Sequence, residues 1–252
     1  MLLQARSVCV DFGGFRAVSE VSLSVDAGAI VGIAGTNGAG KTTLFGAIAG
    51  QITATSGSIH FNGQDITRLP PYRRARAGLA RTFQVPREFT RLSVLDNLRA
   101  AAPNDAHETL AAAWLGRAAA RRADEQLAQR ADEVLALVGL QAVRELPAAA
   151  LSGGQKKLLE LARTLMGSPH CILLDEPFAG VNPVLIGQLL EVLRAIHARG
   201  IALLVIEHHL QALKAFVQRL VVMDQGRVIA DGEPGAVLDD ERVQAAYMGG
   251  VV

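Results

Sequence analysis

Cysteine is almost missing from this chain. Cys9 and Cys171 stand far apart and without CxxC spacing. A disulfide framework and a cysteine zinc site are therefore not expected, and the usage fits a reducing compartment. Aromatic residues are scarce at 4%, which argues against a base-stacking platform for nucleic acid. Neither sign of charge is in excess: Lys+Arg 25 against Asp+Glu 24 leaves +1. No global field draws the chain onto nucleic acid or an anionic membrane. No apolar run approaches the roughly 18 residues of a spanning helix; residues 201–206 form the longest core-like run and are strand-sized. Residues 1–10 lack a basic segment ahead of an apolar one, so no signal peptide is expected.

What is present is material for a core. The 252 residues are 50% hydrophobic and 19% charged, a balance opposite to that of disordered chains. Short β-branched runs alternate with helical stretches, the pattern of an α/β fold. Strands are expected at Val8-Cys9-Val10, at the alternating Val21, Leu23 and Val25, and at residues 30–33, 171–174, 202–206 and 220–223. Gly50 would stop a helix that begins at Lys41, and Gly200 one that begins near Pro183. Asn62-Gly63 and Gln225-Gly226 mark turns, the second inside a terminal hairpin. Residues 100–150 are rich in Ala, Leu, Arg and Glu, with Ala128, Ala131, Val134, Leu135 and Val138 at helical spacing. The chain reads as one domain: a core lobe of about residues 1–84 and 166–252, with a helical lobe of about 85–165 inserted.

Gly35-Thr36-Asn37-Gly38-Ala39-Gly40-Lys41-Thr42 matches GxxxxGK[ST] between an expected strand and an expected helix. Glycines permit backbone conformations that a Cβ forbids. Successive N–H groups can then cradle phosphate oxygens, helped by the positive helix N-terminus. Lys41 would reach the β/γ-phosphates, and the Thr42 hydroxyl would ligate Mg²⁺. A plain glycine-rich turn is the alternative. Cys171-Ile172-Leu173-Leu174-Asp175-Glu176 is an apolar strand ending in two acids, at the sheet edge where α/β proteins bind ligands. Asp175 would hold Mg²⁺ and Glu176 would orient or deprotonate the attacking water. A helix N-terminal charge pair next to Pro177 is the alternative.

Leu151-Ser152-Gly153-Gly154-Gln155 precedes Leu158, Leu161, Ala162 and Leu165 on one helical face. It resembles the signature motif of ATP-binding cassette (ABC) ATPases. Together with the phosphate loop, Gln84, the Asp175-Glu176 strand end and His208, the motifs stand in the family's order along nearly the whole chain. The resemblance implies a P-loop NTPase core with an antiparallel β subdomain and an inserted α-helical subdomain. It implies ATP and Mg²⁺ as cofactors, with ATP contacted by Asn37, Gly38, Ala39, Gly40, Lys41, Thr42 and Thr43. It further implies that Ser152, Gly153, Gly154 and Gln155 close on the ATP of a second subunit in a head-to-tail dimer. Phe12 matches the aromatic that stacks on adenine, with Phe15 as competitor. Gln84, in Arg81-Thr82-Phe83-Gln84, matches the residue that senses γ-phosphate and Mg²⁺, and His208 the switch histidine near Glu176. Two positions depart from the pattern: Thr36 replaces a common Pro, and Asn182 replaces the usual Asp of the interface loop.

Several stretches look like the ATPase subunits of LivG-type branched-chain amino acid importers: Ala80-Arg81-Thr82-Phe83-Gln84, Ala179-Gly180-Val181-Asn182-Pro183, Ile206-Glu207-His208 and Ala245-Ala246-Tyr247-Met248-Gly249-Gly250. ATPases of urea or amide import and of lipopolysaccharide export share much of this pattern, and the signature does not separate them. The implied partners are membrane permease subunits, a second ABC ATPase (paralogue or self) and, indirectly, a solute-binding protein, with no nucleic acid. The implied location is the cytoplasmic face of the inner membrane. A soluble ABC-type ATPase of translation or repair is the reading from another class. Those relatives carry two cassettes or a long insert. Residues 68–91 hold seven Arg and one acid, Glu88: a docking or lipid-headgroup face, a solvated helix face, or a nucleic-acid contact.

Overall fold

The computed structural model describes residues 1–82, 88–103, 116–208 and 210–248. The chain divides into two units, one of Met1–Gln84, Pro169–Gly180 and Leu193–Val252, the other of Val85–Ser168 and Val181–Val192.

The first unit holds two sheets. Strands β1 (Leu3–Phe12), β2 (Phe15–Val25), β4 (Ser56–Phe61) and β5 (Gln64–Asp65) form an antiparallel sheet in the order β2-β1-β4-β5. The other sheet runs β10-β9-β3-β8-β7-β6, from β3 (Ile30–Gly35), β6 (Leu79–Arg81), β7 (Cys171–Asp175), β8 (Ala202–Ile206), β9 (Arg219–Asp224) and β10 (Arg227–Gly232). Its pairs are parallel except the last hairpin. A parallel sheet covered on both faces demands continuous apolar strands rather than alternation. β3, β7 and β8 are buried at every residue. Both expected turn dipeptides close hairpins. Asn62-Gly63 and Gln225-Gly226 take positive φ at both residues (49° and 78°; 45° and 78°), as a two-residue turn matched to strand twist requires.

Helix α1 (Lys41–Ala49) follows β3 and ends at Gly50, which is left-handed at φ 79°. Leu44, Phe45 and Ile48 are each at most 1% exposed, and they join one cluster with Leu3, Val18, Ile33, Phe61 and Ile206. Burying each such side chain contributes about 1.5–3 kcal/mol. At the end of α1 the Gly50 N–H donates to Ala47 O at 3.2 Å, and the last-turn carbonyls need further donors in this interior. Arg74, 2% exposed, satisfies them from helix α2 (Pro71–Arg76). Its guanidinium donates to Ala47 O and Ile48 O at 2.7 Å, Leu69 O at 2.8 Å and Thr67 O at 2.9 Å. Burial lowers its pKa to about 10, still well above neutrality. One arginine of the basic stretch is thus an internal scaffold.

In the second unit, helices α3 (Val94–Ala101), α4 (Gly116–Val138) and α5 (Gly153–Leu165) pack against one another. The expected helical face is real: Ala131, Val134, Leu135 and Val138 of α4 meet solvent little or not at all, as do Leu158, Leu161, Ala162 and Leu165 of α5. Helix α6 (Pro183–His197) ends three residues before the expected stop at Gly200, which is left-handed at φ 82°. Asn182 caps it, its Oδ1 accepting the Leu185 N–H at 2.9 Å, with Pro183 at the first helical position. Helices α7 (Leu210–Lys214), α8 (Pro234–Leu238) and α9 (Glu241–Met248) complete the first unit. Among the described residues no helix is long and apolar enough to cross a membrane.

Candidate active site

The phosphate-loop sequence lies between β3 and α1. Gly35 has φ 149°, and a Cβ there would meet Met223 O at 2.2 Å; Gly40 has φ 92°, and its Cβ would meet Ala17 O at 2.3 Å. The loop is thus wedged between backbone of β9 and β2, and only glycine fits at either end. Lys41 is 7% exposed. Its Nζ donates to Gly35 O at 2.7 Å and Thr36 O at 2.9 Å, which folds the loop over the amine. Burial pulls its pKa down, and the carboxylates of Glu176 and Asp175 push it back up. Helix α1 opens with Gly40 as N-cap, without a side-chain cap and without an acid in its first turn. The positive end of that helix is left for an external acceptor. Thr42 is exposed beside it. Thr36 Oγ1 donates to Asp224 Oδ1 at 3.4 Å.

A cavity of about 920 Å³ borders this loop, lined by Gly35 to Ala39, Glu176, His208, Asp224, Gln225, and Ala245, Ala246 and Tyr247. Its volume suits a nucleotide-sized ligand. Adjacent parallel strands β7 and β8 deliver the acids and the histidine to one edge. Asp175 ends β7, Glu176 follows it with φ 47°, and His208 stands two residues beyond β8. His208 Nδ1 lies 3.9 Å from Glu176 Oε1. A left-handed backbone at a glutamate costs of order 1–3 kcal/mol and needs support from its surroundings. The Glu176 N–H donates to Ile206 O at 3.0 Å.

Asp175, 5% exposed, is paired with Arg81, whose Nη2 lies 2.6 Å from Asp175 Oδ2. Arg81 also donates to Gln51 Oε1 at 2.5 Å, and its guanidinium carbon lies 6.0 Å from the Phe45 ring centroid. Tyr247 is half-buried beside the Gly35 backbone, and that partial burial raises its pKa. Sequence reasoning missed Arg81, Asp224, Gln225 and the wall at Tyr247. Arg81 and Tyr247 sit inside motifs quoted above, but only the folded topology carries them to the site.

Phe12 and Phe15 face each other across the β1–β2 hairpin and are 50% and 67% exposed. Both are outside the core, so either ring is available to a flat ligand. Gln84, with Phe83, lies outside the described residues, as do Gly249 and Gly250. Ser152, Gly153, Gly154 and Gln155 open α5 in the second unit. Ser152 and Gln155 form a capping box: the Gln155 N–H donates to Ser152 Oγ at 3.3 Å, and the Ser152 N–H to Gln155 Oε1 at 2.9 Å. A Cβ on Gly153 would meet nothing within 4 Å, whereas one on Gly154 would meet Leu185 Cδ2 at 1.8 Å.

The oxygen donors at hand, the Thr42 hydroxyl and the Asp175 carboxylate, fit Mg²⁺, which is typically held by one or two carboxylates together with substrate phosphates. The uncapped helix end and the glycine-lined loop fit the triphosphate itself.

Residues 18–179 match the family model described as ABC transporter, and residues 227–252 match one described as branched-chain amino acid ATP-binding cassette transporter. A probable branched-chain amino acid transport ATP-binding protein LivG of Archaeoglobus fulgidus is 35% identical, over 98% of this chain and 95% of its own length. The lipopolysaccharide export system ATP-binding protein LptB of Escherichia coli K12 is 36% identical, over 98% of this chain and 97% of its own. Among solved structures, the ADP conformation of an ATP-binding cassette of an ABC transporter superposes with TM-score 0.86 at 33% identity, covering 98% of each chain. A nucleotide-free cassette gives 0.85 at 34%, also covering 98% of each. The chain belongs to the ATP-binding subunits of ABC transporters, the ATP-hydrolysing motors of that family.

Proposed function

We propose that this subunit drives uptake of branched-chain amino acids, working on the cytoplasmic face of a membrane with permease subunits and a second ABC ATPase. The observation that carries the chemistry is the single cavity shared by the phosphate loop, Glu176 and His208. The match of residues 227–252 to a branched-chain amino acid family model supports the substrate. Full-length similarity to LptB favours a second reading, lipopolysaccharide export.

In this mechanism the loop from Asn37 to Thr43 binds the triphosphate of ATP, Lys41 meets its β- and γ-phosphates, and Phe12 stacks on adenine. Thr42 and Asp175 would hold Mg²⁺, with Gln84; the ion when bound supplies charge neutralisation at the phosphates. Glu176 orients a water in line with the γ-phosphorus and accepts its proton. His208 holds the γ-phosphate side of the cavity. Phosphoryl transfer is dominated by such positioning and charge stabilisation. Ser152, Gly153, Gly154 and Gln155 close on the nucleotide of the second ATPase.

Glu176→Gln is expected to keep ATP binding while lowering turnover about 10²–10⁴-fold, the contribution of a positioned base. Steady-state hydrolysis together with titration of a fluorescent ATP analogue measures both, and near-normal turnover would refute the role of Glu176. Gentle purification of the tagged chain from native membranes, followed by mass spectrometry, tests the substrate. Recovery of amino-acid permeases supports uptake, and recovery of lipopolysaccharide-export membrane subunits supports the second reading. Recovery with ribosomes or repair proteins and no permease would overturn both.

A further inference from the structure

Glu207 is the most deeply buried acid in the described part of the first unit, with no exposure to solvent. An ionised carboxylate in such a place must be compensated by donors. Two of them are backbone groups. Glu207 Oε1 accepts the Phe178 N–H at 2.7 Å, and Oε2 accepts the His208 N–H at 3.2 Å. The His208 ring nitrogen Nδ1 stands 3.9 Å from Glu207 Oε2 and 3.9 Å from Glu176 Oε1. The Glu207 N–H is itself fixed on Ile33 O of β3 at 3.2 Å.

The partner Phe178 is two residues past Glu176, in a turn where the Ala179 N–H donates to Glu176 O at 3.1 Å. That turn begins with Glu176 in the left-handed region at φ 47°. Such a backbone persists only where the surroundings over-determine it. The Phe178 side chain anchors one side of the turn, being 1% exposed; the Glu207 carboxylate anchors the amide. One buried side chain therefore ties His208, two residues beyond β8, to the turn that aims Glu176.

We infer that Glu207 is a positioning residue for hydrolysis: it holds Glu176 and His208 in one fixed relation across β7 and β8 without touching nucleotide. The inference rests on the roles proposed for Glu176 and His208. Removing the carboxylate orphans the Phe178 N–H and frees the Glu176 turn, while the phosphate loop keeps every contact described for it above. A misplacement of about 1 Å in a catalytic group is worth about 10²-fold in rate.

The test uses the full-length chain with Glu207→Ala, Glu207→Gln and Glu176→Gln, singly and combined. Glu207→Gln keeps one acceptor oxygen and close to the original volume, so it serves if Glu207→Ala fails to fold. The expected results are a kcat lowered about 10²-fold in Glu207→Ala and about 10-fold in Glu207→Gln. Affinity for a fluorescent ATP analogue stays within twofold, and adding either change to Glu176→Gln lowers turnover no further. Loss of analogue affinity in step with kcat, or additive losses in the combined variants, would overturn the inference, because either marks a general structural role. Normal kcat in the Glu207 variants beside an inactive Glu176→Gln would overturn this inference alone. Normal turnover in Glu176→Gln would overturn the reading beneath it.

Discussion

Two glycine-rich helix starts in this molecule look alike in sequence and differ in physics. At the phosphate loop, Gly35 and Gly40 have left-handed φ and backbone oxygens within 2.3 Å of where a Cβ would stand. The fold itself demands glycine there. At the signature, Gly153 has no such φ and open space around it, while Gly154 is crowded only by the Leu185 side chain. The two helix ends differ in the same sense. The phosphate-loop helix has no side-chain cap, whereas the signature helix is closed by its own capping box. The first start is shaped by its own subunit to surround an anion. The second is closed by its own cap, and nothing within its own subunit requires glycine at Gly153. The proposed mechanism, in which one subunit binds ATP and another covers it, calls for such an asymmetry.

The contrast breaks most severely at Lys41. Lys41→Ala removes the cation and both bonds that fold the loop, so ATP affinity should fall at least about 100-fold, in keeping with loss of a charge-assisted contact. Unchanged affinity for a fluorescent analogue would dissolve the distinction between the two helix starts.

Alanine at the two glycines sharpens it. Gly40→Ala should destabilise the chain by about 2–3 kcal/mol, through a left-handed alanine and a backbone clash. Gly153→Ala should leave stability within about 0.5 kcal/mol, yet impair ATP-driven closure of the two ATPases. Thermal denaturation and size-exclusion chromatography with ATP on a Glu176→Gln background separate these effects. A large loss of stability in Gly153→Ala would mean that the signature glycine serves its own subunit after all.

The smallest effect concerns protons. Burial lowers the pKa of Lys41 below its ordinary 10.5. Between the folded value and 10.5 the unfolded chain binds more protons, so Lys41 costs stability at neutral pH and that cost is relieved as pH rises through this window. Lys41→Met should remove this alkaline gain, measured as the difference in urea midpoint between variants from pH 7 to pH 10.5. A matching pH slope in both chains would show that the amine pays no burial cost.

What the sequence made legible is local. The helix Lys41–Ala49 with its Gly50 stop, the two hairpin turns and the fully apolar strands are written in consecutive residues, because backbone conformation and burial on both faces are properties of neighbours. The residues proposed for chemistry, Lys41, Asp175, Glu176 and His208, could be picked out for the same reason, each standing at a strand end or loop with a recognisable pattern. The rest depends on which strands become neighbours. Arg81 meets Asp175 from 94 positions away, and Phe178 reaches Glu207 across 29. No periodicity encodes either pairing; the β6-β7-β8 order creates both. Asn182 shows the converse. In the sequence it stands out only as a departure from the pattern of the interface loop, and the structure adds its local work as the cap of α6.

Helix α9 ends beside the nucleotide-sized cavity, with Met248 next to Tyr247 and 70% exposed. Both native thiols are buried, and that of Cys171 is pushed up to about 12, so neither competes for a thiol-reactive dye. A single cysteine introduced as Met248→Cys would place a fluorophore on the rim of that cavity, turning the motor into an optical reporter of what occupies it.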